Sequence, residues 1–191
     1  ELRQYHKQTF NGRHLYDFEQ LLDFSGDLQN TLTDYAKKVA AAVGIQYGPS
    51  HVEIIMTASG PKLVEIAARI SGATNVEISN QALGYNVVDL TIDSYLSQIN
   101  TINNKVIQRE LIIDIATNQQ GVIKAIPFKE TVKQYNSVKS AYFKVDIGDS
   151  LAPTVSLTTS PIKLHLLHQD INQLLHDKDQ LKHEAQQGFV V

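Results

Sequence analysis

The sequence predicts an α+β fold in which antiparallel sheets are covered by helices. Short apolar segments with alternating side chains flank an Asn-Gly turn and a Ser-Gly-Pro turn, a pattern typical of hairpins. Other segments repeat apolar residues at helical spacing. The chain also lacks the regular strand–helix–strand alternation that a parallel, doubly wound sheet requires.

The individual elements follow from these periods and from the turn residues between them. Asn11-Gly12 is expected to close a hairpin between strands over 4–10 and 13–18. A helix is expected from Gly26 to Gly44. The remaining predicted elements are a hairpin over 51–58 and 62–69, a loop over 70–84, a helix over 86–99, a hairpin over 106–116 and 121–128, a short helix over 128–135, strands over 140–148 and 161–169, and a closing helix over 170–187.

Length and composition indicate a globular protein of one large or two small domains. The chain has 191 residues, of which 42% are hydrophobic and 19% are charged. We expect a division at the polar segment 101–105, which gives domains over 1–104 and 105–191.

Several classes of function are disfavoured at this level. The formal net charge is −3, so electrostatics favour neither nucleic acid nor an anionic membrane as a partner. The chain has no cysteine, which excludes disulfides and thiol catalysis and fits a reducing compartment such as the cytoplasm. No apolar run approaches the length of a membrane span.

The hairpin over 51–58 and 62–69 is unusual because each of its apolar strands carries one glutamate. If the loop centres on Ser59, Glu53 lies opposite Glu65 and Ile55 lies opposite Leu63. Because side chains alternate along a strand, the opposite face is entirely apolar and is expected to face the core. Three further residues share the face of the two acids: His51, Ala67 and Arg69.

Two opposed carboxylates, with Cβ atoms about 5 Å apart, either share a proton or share a cation. Mg²⁺ suits such a pair, since it takes one or two carboxylates together with substrate phosphates. The pair of Ile55 and Leu63 offers an apolar floor under an aromatic base, and Arg69 is placed to bind a carboxylate or phosphate. Alternatively, the acids point into water and are balanced by Arg69 or Lys62, and the spacing alone leaves both interpretations open.

The same stretch resembles a known superfamily. The segment GIQYGPSHVEIIMTASGPKLVEIAARISGA resembles the C-terminal half of an ATP-grasp module, in particular the amino-acid-ligase and dipeptide-synthase branch. That branch has a Gly-Pro-x-His-x-Glu strand, a Gly-Pro turn and a Val-Glu-x-x-x-Arg strand that runs into a glycine loop. The opening segment RQYHKQTFNGRHLYDFEQLL and the segment 148–188 resemble the flanking hairpin and the small C-terminal α+β lobe of these ligases. The likeness therefore extends over nearly the whole chain.

The resemblance implies a ligase that uses ATP with Mg²⁺ or Mn²⁺. Glu53 and Glu65 match the two glutamates that hold the metal on the ATP phosphates, and Arg69 matches the arginine that binds the substrate carboxylate or acyl phosphate. The implied reaction transfers a phosphoryl group from ATP to a small-molecule carboxylate, after which an amine attacks the acyl phosphate.

The resemblance also implies roles for neighbouring residues. Ile55 matches the apolar position under the adenine, with Leu63 as its predicted partner. From its place on the same face, His51 is expected either to touch the substrate or to support Glu53, with a purely structural histidine as the alternative. Gly72 is expected in the substrate loop, with an ordinary turn as the alternative. Ala67 departs from the pattern, because many ATP-grasp enzymes have an asparagine there, although the amino-acid-ligase branch accepts a small residue.

The residues that grip the nucleotide in this superfamily would precede Glu1, which is not a methionine. We therefore expect a fragment that is inactive alone and needs the N-terminal part of the same enzyme as its partner; a homodimer is also left open. Two other functions remain: a non-catalytic binding or scaffold domain, and a carboxylase-like or purine-pathway ATP-grasp enzyme. The retained acids argue against the first, and Ala67 argues against the second. The roles of His6 and His14 stay open.

Overall fold

The computed structural model describes residues 1–72, 75–96, 102 and 105–191. Beyond its first two residues, the chain divides into two compact units. The sheet unit contains residues 3–22 and 108–191, and the hairpin unit contains residues 23–107. The predicted domains over 1–104 and 105–191 stay a prediction; the compact units differ from them in grouping the opening hairpin with the C-terminal residues. Residues 103 and 104, at the predicted boundary, lie outside the described residues.

The sheet unit is built on a five-stranded antiparallel sheet with the strand order β1-β2-β5-β9-β7. Asn11 and Gly12 both have positive φ, of 50° and 72°, and close the β1–β2 hairpin as predicted. The elements of this unit are β1 (Arg3–Phe10), β2 (Arg13–Leu21), β5 (Arg109–Ile115), β6 (Gly121–Val122), α4 (Phe128–Thr131), β7 (Val138–Phe143), β8 (Ser150–Leu151), β9 (Ile162–His168) and α5 (Ile171–Glu184). The predicted antiparallel α+β class is confirmed.

The core of this unit lies on one face of the sheet. Apolar side chains from β5 and β9, among them Leu111 and Leu164, pack with Leu174 and Leu181 of α5. The predicted hairpin over 106–116 and 121–128 is wrong, because β5 pairs with β2 and β9 while β6 pairs with β8. Nearly every residue of β5 is buried, on both of its faces. Such a strand belongs in the middle of a sheet, between two neighbours.

The other face of the same sheet carries buried ionisable side chains. Glu19, Glu110, Asp114 and His165 are each at most 7% exposed. Burial of this kind requires partners, and Glu110 has one in Arg3, whose Nη2 donates to Glu110 Oε2 over 2.6 Å.

Within its described residues, the hairpin unit contains three helices and a two-stranded sheet. Its elements are α1 (Asp27–Ala42), β3 (His51–Thr57), β4 (Gly60–Ala67), α2 (Val76–Leu83) and α3 (Val87–Leu96). The predicted helix over 86–99 is present up to Leu96, and residues 97–99 lie outside the described residues. None of residues 23–72 is buried. The apolar face of the β3–β4 hairpin was expected to pack in a core, and it does not do so in this structure.

Helix α2 was not predicted, because its residues were interpreted as part of a loop. Asn75 caps its first turn by accepting a hydrogen bond from the backbone N–H of Ile78, and Gly84 ends it in the left-handed conformation. Its buried residues are Ile78, Ser79, Ala82 and Leu83. None of the helices in the described part of the chain combines the length and the hydropathy that crossing a membrane requires.

Candidate metal and phosphate site

The two glutamates occupy directly opposed positions on β3 and β4. The antiparallel register pairs His51 with Ala67, Val52 with Ile66, and Glu53 with Glu65. This part of the predicted register is confirmed. Opposed residues of an antiparallel pair project from the same face of the sheet. The fold therefore brings the two carboxylates together, as the sequence predicted.

Beyond the acids the register shifts by one residue. Ile54 pairs with Leu63 and Ile55 pairs with Lys62, which leaves Val64 as the extra residue of a β-bulge. The predicted pair of Ile55 and Leu63 is therefore wrong. Because a one-residue shift exchanges the two faces of a strand, Leu63 lies on the face opposite to the acids and Lys62 takes its place beside Ile55.

The signal for this shift is present in the turn. Thr57 pairs with Gly60, so the loop has only two residues, and Gly60 has a φ of 99°. A two-residue loop followed by such a glycine sets a register that differs by one residue from the register in which Glu53 lies opposite Glu65. A bulge in β4 is needed to satisfy both. The prediction centred the loop on Ser59 and so missed Lys62 on the acid face.

Glu53 is held by a neighbour on its own strand. Nε2 of His51 lies 3.2 Å from Oε1 of Glu53. A carboxylate only accepts hydrogen bonds, so the imidazole donates through Nε2. The His51 side chain is 13% exposed. Glu53 is 28% exposed and is therefore more buried than Glu65, which is 52% exposed.

Glu65 has a different kind of partner. Nη2 of Arg69 lies 3.5 Å from Oε1 of Glu65, and both side chains are 52% exposed. The other terminal nitrogen of Arg69, Nη1, donates to the backbone carbonyl of Ile70 over 3.0 Å. An ion pair this open to water is weak, so Arg69 can exchange Glu65 for another anion at little cost.

This donor set suits a hard divalent cation. Two carboxylates face each other, and both remain accessible to solvent. Within the described ranges, no three or more His, Asp or Glu side chains group closely enough to hold a metal by themselves. A cation here would take its remaining ligands from water or from phosphate oxygens, which is how Mg²⁺ is usually bound.

The remaining predicted residues lie in different places relative to this face. Ile55 is 58% exposed on the side of the acids, whereas Leu63 is 40% exposed on the opposite side. Gly72 lies in the turn after β4. The predicted role of Leu63 under the adenine depended on its pairing with Ile55, and that pairing is not present. The predicted roles of Ile55 and Gly72 stay predictions.

Comparisons with known proteins place this fold among solved enzymes. No protein-family model matches the chain, and no curated protein is significantly similar to it in sequence. The L-amino acid ligase from Bacillus licheniformis is similar in structure, with a TM-score of 0.76 at 19% identity; the match covers 88% of this chain and 45% of that one. Phosphoribosylglycinamide synthetase from Anaerococcus prevotii gives a TM-score of 0.70 at 13% identity, and the match covers 97% and 48% of the two chains.

A third solved structure contains a nucleotide. It is the carboxyaminoimidazole ribonucleotide synthase from Aspergillus clavatus complexed with ATP, with a TM-score of 0.59 at 14% identity and with 94% and 46% of the two chains covered. The chain thus spans slightly less than half the length of these proteins. The predicted fold is confirmed: it is that of the C-terminal portion of ATP-grasp enzymes.

Proposed function

We propose that this chain supplies the metal and phosphate site of an ATP-dependent ligase that joins a carboxylate to an amine. The observation that carries the proposal is the direct opposition of Glu53 and Glu65 on a two-stranded sheet. Like charges in this position are destabilising unless something offsets them. A bound divalent cation offsets this repulsion, and it can reach both carboxylates because they are exposed to solvent.

Each residue of the acid face would have its own role in this reaction. Glu53 and Glu65 would bind Mg²⁺ or Mn²⁺, which when bound neutralises charge on the ATP phosphates. Arg69 would bind the substrate carboxylate or its acyl phosphate, since a guanidinium matches the geometry of either group. Lys62, which the bulge brings beside Ile55, adds a positive charge for the phosphates, and Ile55 offers the adenine an apolar contact.

The solved structures support this assignment through their fold. Two of the three proteins are a ligase and a synthetase, and the third was solved with ATP. Of these, the L-amino acid ligase gives the highest TM-score, 0.76 against 0.70 and 0.59. An amino acid or a related small molecule is therefore our proposed substrate class. A carboxylase-like or purine-pathway reaction is the alternative that the other two proteins favour.

The proposal includes a partner and a location. Because the chain spans less than half of these enzymes, the polypeptide that supplies the other half of the nucleotide site is its proposed partner. A homodimer and a cytoplasmic location stay predictions.

The first test measures nucleotide binding and turnover. Mn²⁺ and ATP are titrated together against this chain and against the natural full-length polypeptide, each with and without Glu65→Gln. We expect the full-length protein to bind Mn²⁺–ATP and turn over, and Glu65→Gln to abolish turnover. If the full-length protein binds no nucleotide and Glu65→Gln changes nothing, the acids are surface residues and the scaffold function is correct.

A further inference from the structure

Glu53 and Glu65 form an unequal pair. Glu65 contacts an arginine that is 52% exposed, whereas Glu53 accepts a hydrogen bond from a histidine side chain that is only 13% exposed. A more buried partner moves less and is screened less by solvent. The carboxylate of Glu53 is therefore the better oriented of the two before any ligand arrives.

Among the described residues on this face, one side chain orients the carboxylate of Glu53. Across the sheet from His51 lies Ala67, which has no polar group, and the next residue on the same face of β3 is Ile55. Among the described residues, the side chain of Glu53 makes one hydrogen bond, to His51. The bond uses Oε1, which leaves Oε2 available to a cation shared with Glu65.

We propose that His51 is a positioning residue that fixes the Glu53 carboxylate for metal binding through its Nε2–H donor. This inference rests on the proposed function and adds to it the residue that prepares one of the two acids. Outer partners that hydrogen-bond a metal-binding carboxylate typically change metal affinity by about 10–100-fold when they are removed.

The atom that makes the contact provides a sharp test. The side-chain nitrogen of glutamine can replace Nε2 of histidine, whereas that of asparagine corresponds to Nδ1 and does not reach as far. Both substitutions are neutral, polar and similar in size. We would measure Mn²⁺ affinity from the electron paramagnetic resonance signal of the free ion, for the wild-type chain, His51→Gln, His51→Asn and Glu53→Gln. Circular dichroism would check the fold of each variant.

We expect Glu53→Gln to abolish specific Mn²⁺ binding and His51→Asn to weaken it by about 10–100-fold. His51→Gln should stay within a few-fold of the wild type. Equal affinities for the wild type and His51→Asn, with binding still lost in Glu53→Gln, would overturn the role of His51 and leave the proposed metal site intact. If His51→Gln and His51→Asn weaken binding equally, the histidine contributes by packing and the positioning role is wrong. No Mn²⁺ binding by the wild-type chain would overturn the role of His51, whereas the proposed function is decided separately by the titration of Mn²⁺ together with ATP.

Discussion

The guanidinium of Arg69 lies 3.5 Å from the carboxylate of Glu65, so two of the proposed site residues are paired with each other. This contact means that Arg69 competes with a cation for Glu65. An exposed ion pair of this kind contributes only about 0.2–1 kcal/mol. The competition is therefore weak, and a divalent cation can displace the arginine and leave it available to an anionic substrate.

The first prediction is that Arg69→Gln tightens Mn²⁺ binding to this chain while abolishing turnover by the proposed ligase. The increase in affinity should be no more than about 5-fold, because that factor corresponds to the upper limit for an exposed pair. Mn²⁺ titration measures the first effect and a product assay the second. Lys38→Gln, which removes the same charge from an exposed position on α1, is the control and should change neither. Weaker Mn²⁺ binding in Arg69→Gln would show that the arginine helps to build the metal site.

The second prediction concerns the two faces of the β3–β4 hairpin. Because the bulge places Ile55 on the acid face and Leu63 on the other, Ile55→Ala should weaken ATP binding by the proposed ligase and Leu63→Ala should not. Loss of a large apolar contact removes on the order of 1–2 kcal/mol, or about 5–30-fold in affinity. Competition with a fluorescent nucleotide measures the difference. An equal loss in both variants would mean that the nucleotide contacts the hairpin elsewhere.

The acid pair and the bulge differ in how far the sequence determines them. Strand alternation with a loop centred on Ser59 predicted that Glu53 opposes Glu65, and the bulge in β4 restores that pairing although the observed turn is tighter. The position of Lys62 depended on an extra residue in β4, which strict strand alternation does not reveal. The turn did carry a usable signal, because a glycine at position 60 accepts the positive φ that a tight turn pairing Thr57 with Gly60 requires.

Long-range pairing was harder to predict than local structure. Asn75 before α2 and Gly84 after it are recognisable helix boundaries, and weighing them would have found the helix. By contrast, nothing adjacent to β5 indicates that β2 and β9 are its neighbours, because these strands are far away in sequence. The buried charges of this sheet likewise depend on pairing, since Arg3 reaches Glu110 only when β1, β2 and β5 lie side by side.

The third prediction is that Glu19→Gln stabilises the sheet unit at neutral pH. Glu19 is 7% exposed, and its Oε2 has no hydrogen-bond partner among the described residues. Burial raises the pKa of this carboxyl, and the positive charges of Arg3 and Lys163 offset only part of that effect. The folded state therefore favours the protonated acid, so stability is fully present below the unfolded pKa of about 4.3 and is lost as the pH rises through the folded value.

Glutamine cannot ionise, so the benefit of the substitution should appear at pH 7 and disappear towards pH 4. Its size should be at most about 3 kcal/mol, the upper range for an unpaired buried polar group. Hydrogen exchange of the β5 amides measures it. The control is Glu130→Gln, which removes a 75% exposed glutamate paired with Lys133 and should have no such pH dependence. A loss of protection at pH 7 in Glu19→Gln would contradict the prediction.

The fourth prediction concerns the ion pair between Arg3 and Glu110, which joins β1 to β5. Their side chains are 8% and 0% exposed. Burial acts to raise the pKa of Glu110, but the imidazole of His165, 3.7 Å away, and the charge of Arg3 outweigh it and hold the pKa below its usual value. The stabilisation is thus present above the unfolded pKa and is lost as the pH falls through the folded value.

Arg3→Met should therefore destabilise the sheet unit by about 3–5 kcal/mol at pH 7, because it leaves a buried carboxylate without its main partner. The double substitution Arg3→Met and Glu110→Leu removes both charges, and replacing a buried pair by apolar residues is often neutral. We expect it to recover most of the lost stability and to flatten the acid dependence. Hydrogen exchange of β1 and β5 amides across this double-mutant cycle gives the coupling energy. If the double variant is no more stable than Arg3→Met, the arginine stabilises the sheet through its packing, because the removal of Glu110 would then have relieved no unpaired charge.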